Sequence, residues 1–182
     1  MNFTGKYQIK KETVLIISFA LISVIYQLTF YNVLEFHRDE LLYFSVGEHL
    51  DFGYYSVPPF IGFLAFISTR IFGYTLFAAK FFPAIAGGIV IYLSSMIAKE
   101  FKGGMYTQIL TAVCILGSIL FSRAFGLFQP VVFDILFWTL SLYLMIRYIN
   151  TELNKYLLFL GISIGVGFLN KYNILFLVIS LL

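Results

Sequence analysis

The sequence has little charge and almost no cysteine, and these shortages exclude most classes of soluble protein. Charged residues make up 12% of the 182 residues, whereas 60% are hydrophobic and 20% aromatic, and the mean hydropathy is +0.92. So little charge cannot cover a water-soluble surface, and we interpret the chain as an integral membrane protein. The single cysteine, Cys114, lies in an apolar run, which excludes an internal disulfide and a cysteine-based metal site.

Basic residues are also too few for a nucleic-acid-binding surface. The formal net charge is only +3, and the lysines and arginines are spread over short connecting segments. Nucleic-acid binding requires a basic stripe that neutralises several phosphates. We therefore expect the lipid bilayer to be a partner of this protein and nucleic acid not to be one.

Long apolar runs predict an all-α, polytopic bundle of transmembrane helices, because about 20 apolar residues span the roughly 30 Å hydrocarbon core. The predicted spans are residues 13–33, 74–98, 105–126, 131–149 and 156–170, with an incomplete run over 173–182. The first run is too long for a signal peptide, and no small-residue cleavage site follows it, so we predict a retained helix. The last run crosses only about half the membrane, and we therefore expect the chain to be the N-terminal part of a longer protein.

The distribution of basic residues predicts the orientation of these spans. Seven of the twelve lysines and arginines lie in the N-terminal tail and in the connections after the second and fourth spans: Lys6, Lys10, Lys11, Lys99, Lys102, Arg147 and Lys155. The positive-inside rule places them, with the N-terminus, in the cytoplasm.

Residues 34–73 then form an outer loop. Its apolar run over 60–72 reaches only about 20 Å as a helix, so we predict an interfacial helix there. The alternative fuses this run with the next span and inverts every later connection.

The outer loop contains most of the acids and both histidines, within residues 35–59. Ionisable groups beside a bilayer cost free energy, so this stretch is predicted to form a functional site. The favoured topology brings Asp134, about one turn into the fourth span, and Lys171, at the end of the fifth, to the same face as Asp39.

Each of these three residues also has a purely structural interpretation. Asp39 can be a solvated loop acid, Asp134 a helix-start acid favoured by the helix dipole, and Lys171 a lysine that snorkels to the headgroups. Likewise, Tyr54 and Tyr55 fit an interfacial aromatic belt.

A metal site is the weaker interpretation of the acidic loop. The candidate ligands are Glu40, Glu48 and His49, but no pair among them has a diagnostic spacing. We therefore predict no metal ligand set, although a divalent ion remains the one possible cofactor. His37 and His49 are interpreted as surface residues.

A series of motifs along the chain resembles one family of membrane enzymes. The motifs are Arg38-Asp39-Glu40-Leu41-Leu42-Tyr43, Gly53-Tyr54-Tyr55-Ser56-Val57-Pro58-Pro59, Ile71-Phe72-Gly73, Ala98-Lys99-Glu100-Phe101-Lys102-Gly103, Asp134 with Phe137-Trp138-Thr139-Leu140, and Gly165-Val166-Gly167-Phe168-Leu169-Asn170-Lys171-Tyr172. The chain resembles polyprenyl-phosphate-dependent glycosyltransferases of the protein-O-mannosyltransferase and aminoarabinose-transferase type, which have the GT-C fold. Many relatives carry an acid or histidine and a lysine where this chain has Ser56 and Val57, so no donor contact is assigned to those two positions.

The resemblance implies transfer of a sugar from a polyprenyl-phosphate donor to a glycan, lipid or protein acceptor. The reaction would take place with inversion on the extracytoplasmic face, at a bacterial plasma membrane. Asp39 matches the family's loop acid and is predicted to be the general base. Glu40 would orient the acceptor or hold a metal, and Asp134 would be a second acid that orients the acceptor or Lys171.

The resemblance also implies groups that bind the donor. The leaving phosphate needs a cation, for which Lys171 is the first candidate, with Arg38 or Arg123 as helpers. The loop residues assigned to substrate are Tyr43, Tyr54, Tyr55, Pro58 and Pro59. These 182 residues alone are expected to be inactive.

Two other functions remain as alternatives. A transporter or lipid flippase would place charges at mid-membrane and show inverted repeats, whereas here the charges cluster at one face. A non-catalytic membrane subunit explains the helices but gives no purpose to the acidic loop.

Overall fold

The computed structural model describes residues 11–33 and 35–181, and throughout these residues the regular structure is helical. The helices are α1 (Lys11–Thr29), α2 (Arg38–Glu48), α3 (Pro59–Phe72), α4 (Leu76–Glu100), α5 (Met105–Leu116), α6 (Ile119–Phe125), α7 (Pro130–Thr151), α8 (Lys155–Asn170) and α9 (Ile174–Leu181). Within the described residues α1, α4 and α7 are each long and apolar enough to cross a membrane, and the bent pair α5–α6 makes a fourth span if counted as one. The predicted all-α polytopic bundle is confirmed.

Helix α4 lies at the centre of the bundle and packs against α1, α3, α5, α6 and α7. Two adjacent glycines make this close packing possible. A Cβ atom on Gly87 would overlap the ring of Phe125 in α6, and one on Gly88 would lie 2.7 Å from Cγ2 of Val24 in α1. Small residues at these positions therefore let α1 and α6 approach the backbone of α4.

The two ends of the bundle carry different charged clusters. At one end, the start of α1 and the ends of α4 and α7 meet: Arg147 Nη1 lies 2.7 Å from Glu100 Oε1, and Lys99 Nζ lies 4.0 Å from Glu12 Oε2. Arg147 also donates to the Tyr156 hydroxyl at the start of α8. The other end, called the site end below, comprises residues 75–80, 123–134 and 170–173 together with α2.

The predicted third span over 105–126 is broken into α5 and α6, which meet at 70°. Helix α5 ends at Gly117, whose N–H still bonds to the Val113 carbonyl at 2.8 Å, and Ser118 has an extended backbone. The bend places the Phe125 ring against Gly87, where a straight helix would continue away from α4. Hydropathy does not detect this break because both pieces are apolar.

The predicted outer loop contains two helices, α2 and α3. Helix α3 begins at Pro59 and ends before Gly73, which has φ +68°, so its limits follow the proline and glycine signals. The acidic half of this loop is also helical and forms α2. His37 caps it, because its Nδ1 accepts the Asp39 N–H at 3.3 Å while Glu40 Oε2 accepts the His37 N–H at 2.9 Å.

Substitution of alanine for Gly87 should destabilise the protein, whereas Gly165→Ala should not. Both glycines lie inside helices, but an added Cβ at Gly165 has no atom within 4 Å. Overpacking at Gly87 costs about 1–3 kcal/mol, while alanine at Gly165 gains helix propensity of up to about 1 kcal/mol. Thermal unfolding of the detergent-solubilised variants measures the difference, and equal melting temperatures would contradict the close packing of α4 and α6.

Candidate active site

Glu40 is the most buried charged residue of the acidic stretch. Its Oε1 lies 2.6 Å from Lys80 Nζ and accepts the Phe128 N–H at 3.0 Å, while its Oε2 accepts the His37 N–H. The Glu40 side chain has 0% exposure and that of Lys80 has 8%. A carboxylate without exposed surface does not contact a bound substrate. The Glu40 carboxylate is thus bonded within the protein, and its predicted contact with an acceptor or a metal stays a prediction.

Lys80 is absent from the site predicted by sequence, although one signal could have found it. It is the single charged residue between Tyr74 and Ala98, and a lysine inside an apolar span normally has a partner in the bundle. The structure supplies that partner from α2, 40 residues earlier in the chain.

Asp39 lies beside Glu40 but in a different environment. Its side chain is 29% exposed, its Oδ2 accepts a hydrogen bond from Gln129 Nε2 at 2.8 Å, and its Oδ1 faces Arg38 Nε at 3.3 Å. The Arg38 side chain is 92% exposed, so this ion pair is a surface contact. Burial, and then the charge of Asp39, raise the pKa of Tyr43 one turn further along α2. Asp39 therefore presents a partly exposed carboxylate, with Gln129 at one oxygen and the exposed Arg38 side chain at the other.

The start of α7 connects Asp39 to the second predicted acid. Gln129 contacts Asp39, Pro130 accepts a hydrogen bond from Asn170 Nδ2 at 3.0 Å, and Asn173 Nδ2 donates to Asp134 Oδ2 at 2.9 Å. These contacts link α2, α7, α8 and the start of α9 at the site end.

Lys171 directly follows Asn170, the last residue of α8, whose side chain bonds to the Pro130 carbonyl at the start of α7. The predicted residues Asp39, Asp134 and Lys171 thus all lie at one end of the bundle.

A cavity of about 630 Å³ lies between the end of α1, the residues just before α2, and α6. Its polar lining includes His37, Lys80 and Arg123, and its walls include the aromatic residues Tyr26, Phe30, Tyr31 and Phe36. A second cavity, of about 270 Å³, shares Tyr26, Gln27 and Ser122 with the first and extends to Ile115 and Leu116 at the end of α5. The two cavities lie beside α1 and share part of their lining, and together they are called the groove below. Charged side chains line the first cavity and not the second.

The remaining loop residues shape the connection between α2 and α3. The Tyr54 hydroxyl donates to the His49 carbonyl and accepts the Asp51 N–H, each at 3.0 Å. Tyr55 is fully exposed, Pro58 is buried, and Pro59 begins α3.

The candidate metal ligands do not come together in the structure. Glu48 and His49 are exposed near the end of α2, whereas Glu40 is bonded to Lys80. Across residues 11–33 and 35–181, no three histidine, cysteine or acidic side chains are grouped closely enough to hold a metal ion.

A polytopic bundle of apolar helices with polar side chains gathered at one end defines an integral membrane protein. A family model described as dolichyl-phosphate-mannose-protein mannosyltransferase matches residues 56–182. The chain belongs to this family of membrane glycosyltransferases, which use polyprenyl-phosphate sugar donors. The resemblance in the motifs is thereby confirmed, and the transporter alternative receives no support.

The family match includes Asp134 and Lys171 and begins after Asp39 and Glu40. No curated protein and no solved structure matches the chain.

Replacement of Lys80 by methionine should strongly destabilise the protein. Removing one partner of a buried ion pair leaves an uncompensated charge, which costs about 3–5 kcal/mol. The double variant Lys80→Met, Glu40→Gln should recover part of this loss, because the amide oxygen can still accept the Phe128 N–H. Thermal unfolding measures both.

Lys99→Met is the matched control for this experiment. Its ion pair with Glu12 is partly exposed at the opposite end of the bundle, and such a pair contributes about 0–1 kcal/mol. A loss of stability in Lys80→Met no greater than in Lys99→Met would contradict the importance of the buried pair.

Proposed function

We propose that this protein transfers a glycosyl group from a polyprenyl-phosphate-linked sugar to an acceptor hydroxyl on the extracytoplasmic face, with inversion, and that Asp39 is the general base. The observation that carries this proposal is the state of the Asp39 carboxylate. It is partly exposed, is held at one oxygen by Gln129, and lies at the same end of the bundle as Asp134, Lys171 and the mouth of the groove. Its neighbour Glu40 is buried and bonded within the protein.

The chemistry is a single displacement at the anomeric carbon. Asp39 takes the proton of the acceptor hydroxyl while the acceptor oxygen forms the new glycosidic bond. At the same time the bond to the phosphate oxygen breaks, and polyprenyl phosphate leaves with the electron pair. One such displacement inverts the anomeric carbon. General-base catalysis of this kind contributes about 10²- to 10⁴-fold in rate.

The leaving phosphate gains negative charge, which preplaced cations stabilise. Arg123 lines the groove, and Lys171 follows the end of α8, where Asn170 bonds to the start of α7. Neither residue takes part in an ion pair among the described residues, so both charges remain available to an anionic ligand. Arg38, exposed beside Asp39, is a third candidate. We assign donor-phosphate binding to these three residues.

The donor's lipid tail must stay in an apolar environment while its phosphosugar reaches Asp39. The groove along α1 fits this requirement, because its aromatic walls lead away from His37 and Arg123 toward Leu116 at the α5–α6 bend. Phe30 and Ile119 on its rim are exposed, so the groove opens on the apolar flank of the bundle. A polyprenyl chain can enter there from the bilayer.

The remaining parts of the proposal concern orientation and acceptor binding. The basic end with Lys99 and Arg147 faces the cytoplasm by the positive-inside rule, which leaves the site end outside. Asp134, fixed by Asn173, orients the acceptor, which is a glycan, lipid or protein. Glu40 anchors α2 without contacting substrate.

Asp39→Asn in the full-length protein should abolish sugar transfer from a polyprenyl-phosphate donor, because an amide cannot accept the hydroxyl proton. Asp51→Asn, an exposed acid in the connection between α2 and α3, is the matched control and should retain activity. An assay of purified enzyme against a panel of lipid-phosphate sugars measures both. Near-normal turnover in Asp39→Asn would reject the assigned base.

Lys171→Met and Arg123→Met should each weaken use of the donor, with a rise in the donor KM and a fall in kcat/KM of about tenfold or more. A lost charge-assisted contact to phosphate of about 1.5–3 kcal/mol predicts this size. Lys99→Met at the opposite end should leave donor kinetics unchanged. If all three substitutions changed the donor KM and kcat/KM equally, the assignment of phosphate binding to Lys171 and Arg123 would be rejected.

A further inference from the structure

We propose that Gln129 is a positioning residue for the reaction: it holds the Asp39 carboxylate by one oxygen so that the other faces the acceptor hydroxyl. This inference rests on the proposed role of Asp39 as general base. Gln129 lies 90 residues after Asp39 and belongs to none of the motifs that suggested the site.

The contact itself has a defined direction. Gln129 Nε2 lies 2.8 Å from Asp39 Oδ2, and an ionised carboxylate only accepts hydrogen bonds, so the amide nitrogen must face it. His37 Nδ1 lies 3.9 Å from the same oxygen, too far for a hydrogen bond. Gln129 is therefore the group that fixes Oδ2.

The other oxygen of Asp39 is the one left for substrate. Its neighbour is Arg38 Nε at 3.3 Å, on a side chain with 92% exposure. A long, exposed side chain can rotate away at little cost, because a surface ion pair contributes about 0–1 kcal/mol. An acceptor hydroxyl can then approach Oδ1 while Gln129 still holds Oδ2.

Gln129 is well suited to this task because its own backbone is fixed. It precedes Pro130, which restricts it to the extended conformation, and it has φ −140° and ψ 154°. Its N–H bonds to the Leu127 carbonyl at 2.9 Å. The Phe128 N–H bonds to Glu40 in the same connection, so two consecutive residues before α7 hold the two consecutive acids of α2.

Loss of this hydrogen bond should slow the chemical step more than it affects binding. A carboxylate that is free to rotate spends less time aligned with the acceptor hydroxyl, and misplacement of a catalytic group by about 1 Å can cost about 10²-fold in rate. Because Gln129 touches Asp39 and not the substrate, the loss should appear in kcat.

The test compares three substitutions in the purified full-length protein, with kcat expressed per folded enzyme. Gln129→Met keeps the side-chain length without a donor and should lower kcat about 10- to 100-fold, with KM for donor and acceptor within about twofold. Gln129→Glu keeps the shape but places a second carboxylate against Asp39 and should lower kcat further. Gln129→Lys restores a donor of similar length and should recover much of the loss.

Gln108→Met is the matched control. Gln108 Nε2 also donates a hydrogen bond, at 3.2 Å, but to the Gly103 carbonyl at the opposite end of the bundle. This variant should keep its kcat even where its melting temperature falls.

The outcomes separate this inference from the proposed function. Activity in Asp39→Asn overturns the general base and the role of Gln129 with it. An inactive Asp39→Asn together with an unchanged kcat in Gln129→Met overturns only the role of Gln129. If Gln129→Lys lowers kcat as much as Gln129→Met does, the side-chain packing matters and the hydrogen-bond donor does not. That result also overturns the proposed role of Gln129. If Gln129→Met does not fold, the comparison of Gln129→Lys with Gln129→Glu decides, since equal kcat in those two contradicts a need for a donor.

Discussion

The architecture of the site end depends on one buried ion pair, between Glu40 of α2 and Lys80 of α4. Removing two charges from water is costly, and the cost is offset only when both are well bonded. Glu40 meets this condition, because it also accepts the N–H groups of His37 and Phe128. A single carboxylate thereby joins the start of α2, the spanning helix α4 and the connection before α7. These contacts fix the position of the short helix α2 relative to the long helices α4 and α7.

The same pair determines which of two adjacent acids meets the solvent. Successive residues on an α-helix are separated by about 100°, so a helix that turns Glu40 into the bundle must turn Asp39 to the side. Asp39 is then partly exposed, and Gln129 reaches its Oδ2 from the connection that Glu40 fixes. The Asp-Glu dipeptide thus contains one anchoring acid and one accessible acid. The Glu40–Lys80 ion pair stabilises the fold. Because it sets the orientation of α2, it also leaves the Asp39 carboxylate accessible for its proposed role.

The sequence predicted the features that composition controls and missed those that depend on tertiary partners. Apolar runs predicted the long helices α1, α4 and α7, and Pro59 and Gly73 predicted the limits of α3. The 70° break after α5 was not predicted because both sides are equally apolar, and it is stabilised by Phe125 packing on Gly87. Lys80 was overlooked inside an apolar run. The different environments of Asp39 and Glu40 had no local signal, since they depend on residues at least 40 positions away.

The distribution of paired and unpaired charges bears on the proposed binding of the donor phosphate. At the end opposite the site, Lys99 and Arg147 are paired with acids, whereas Lys11, Lys102 and Lys155 are in none of the ion pairs of the described residues. At the site end Lys80 is bonded to Glu40. Arg123 and Lys171 belong to none of the ion pairs within the described part of the chain. In a low-dielectric setting, a cation without a carboxylate partner attracts a phosphate more strongly than a paired one does. Arg123, which lines the groove, and Lys171, which follows α8, are therefore two cations at the site end that a phosphosugar could meet. The acid proposed to activate the acceptor lies at the same end.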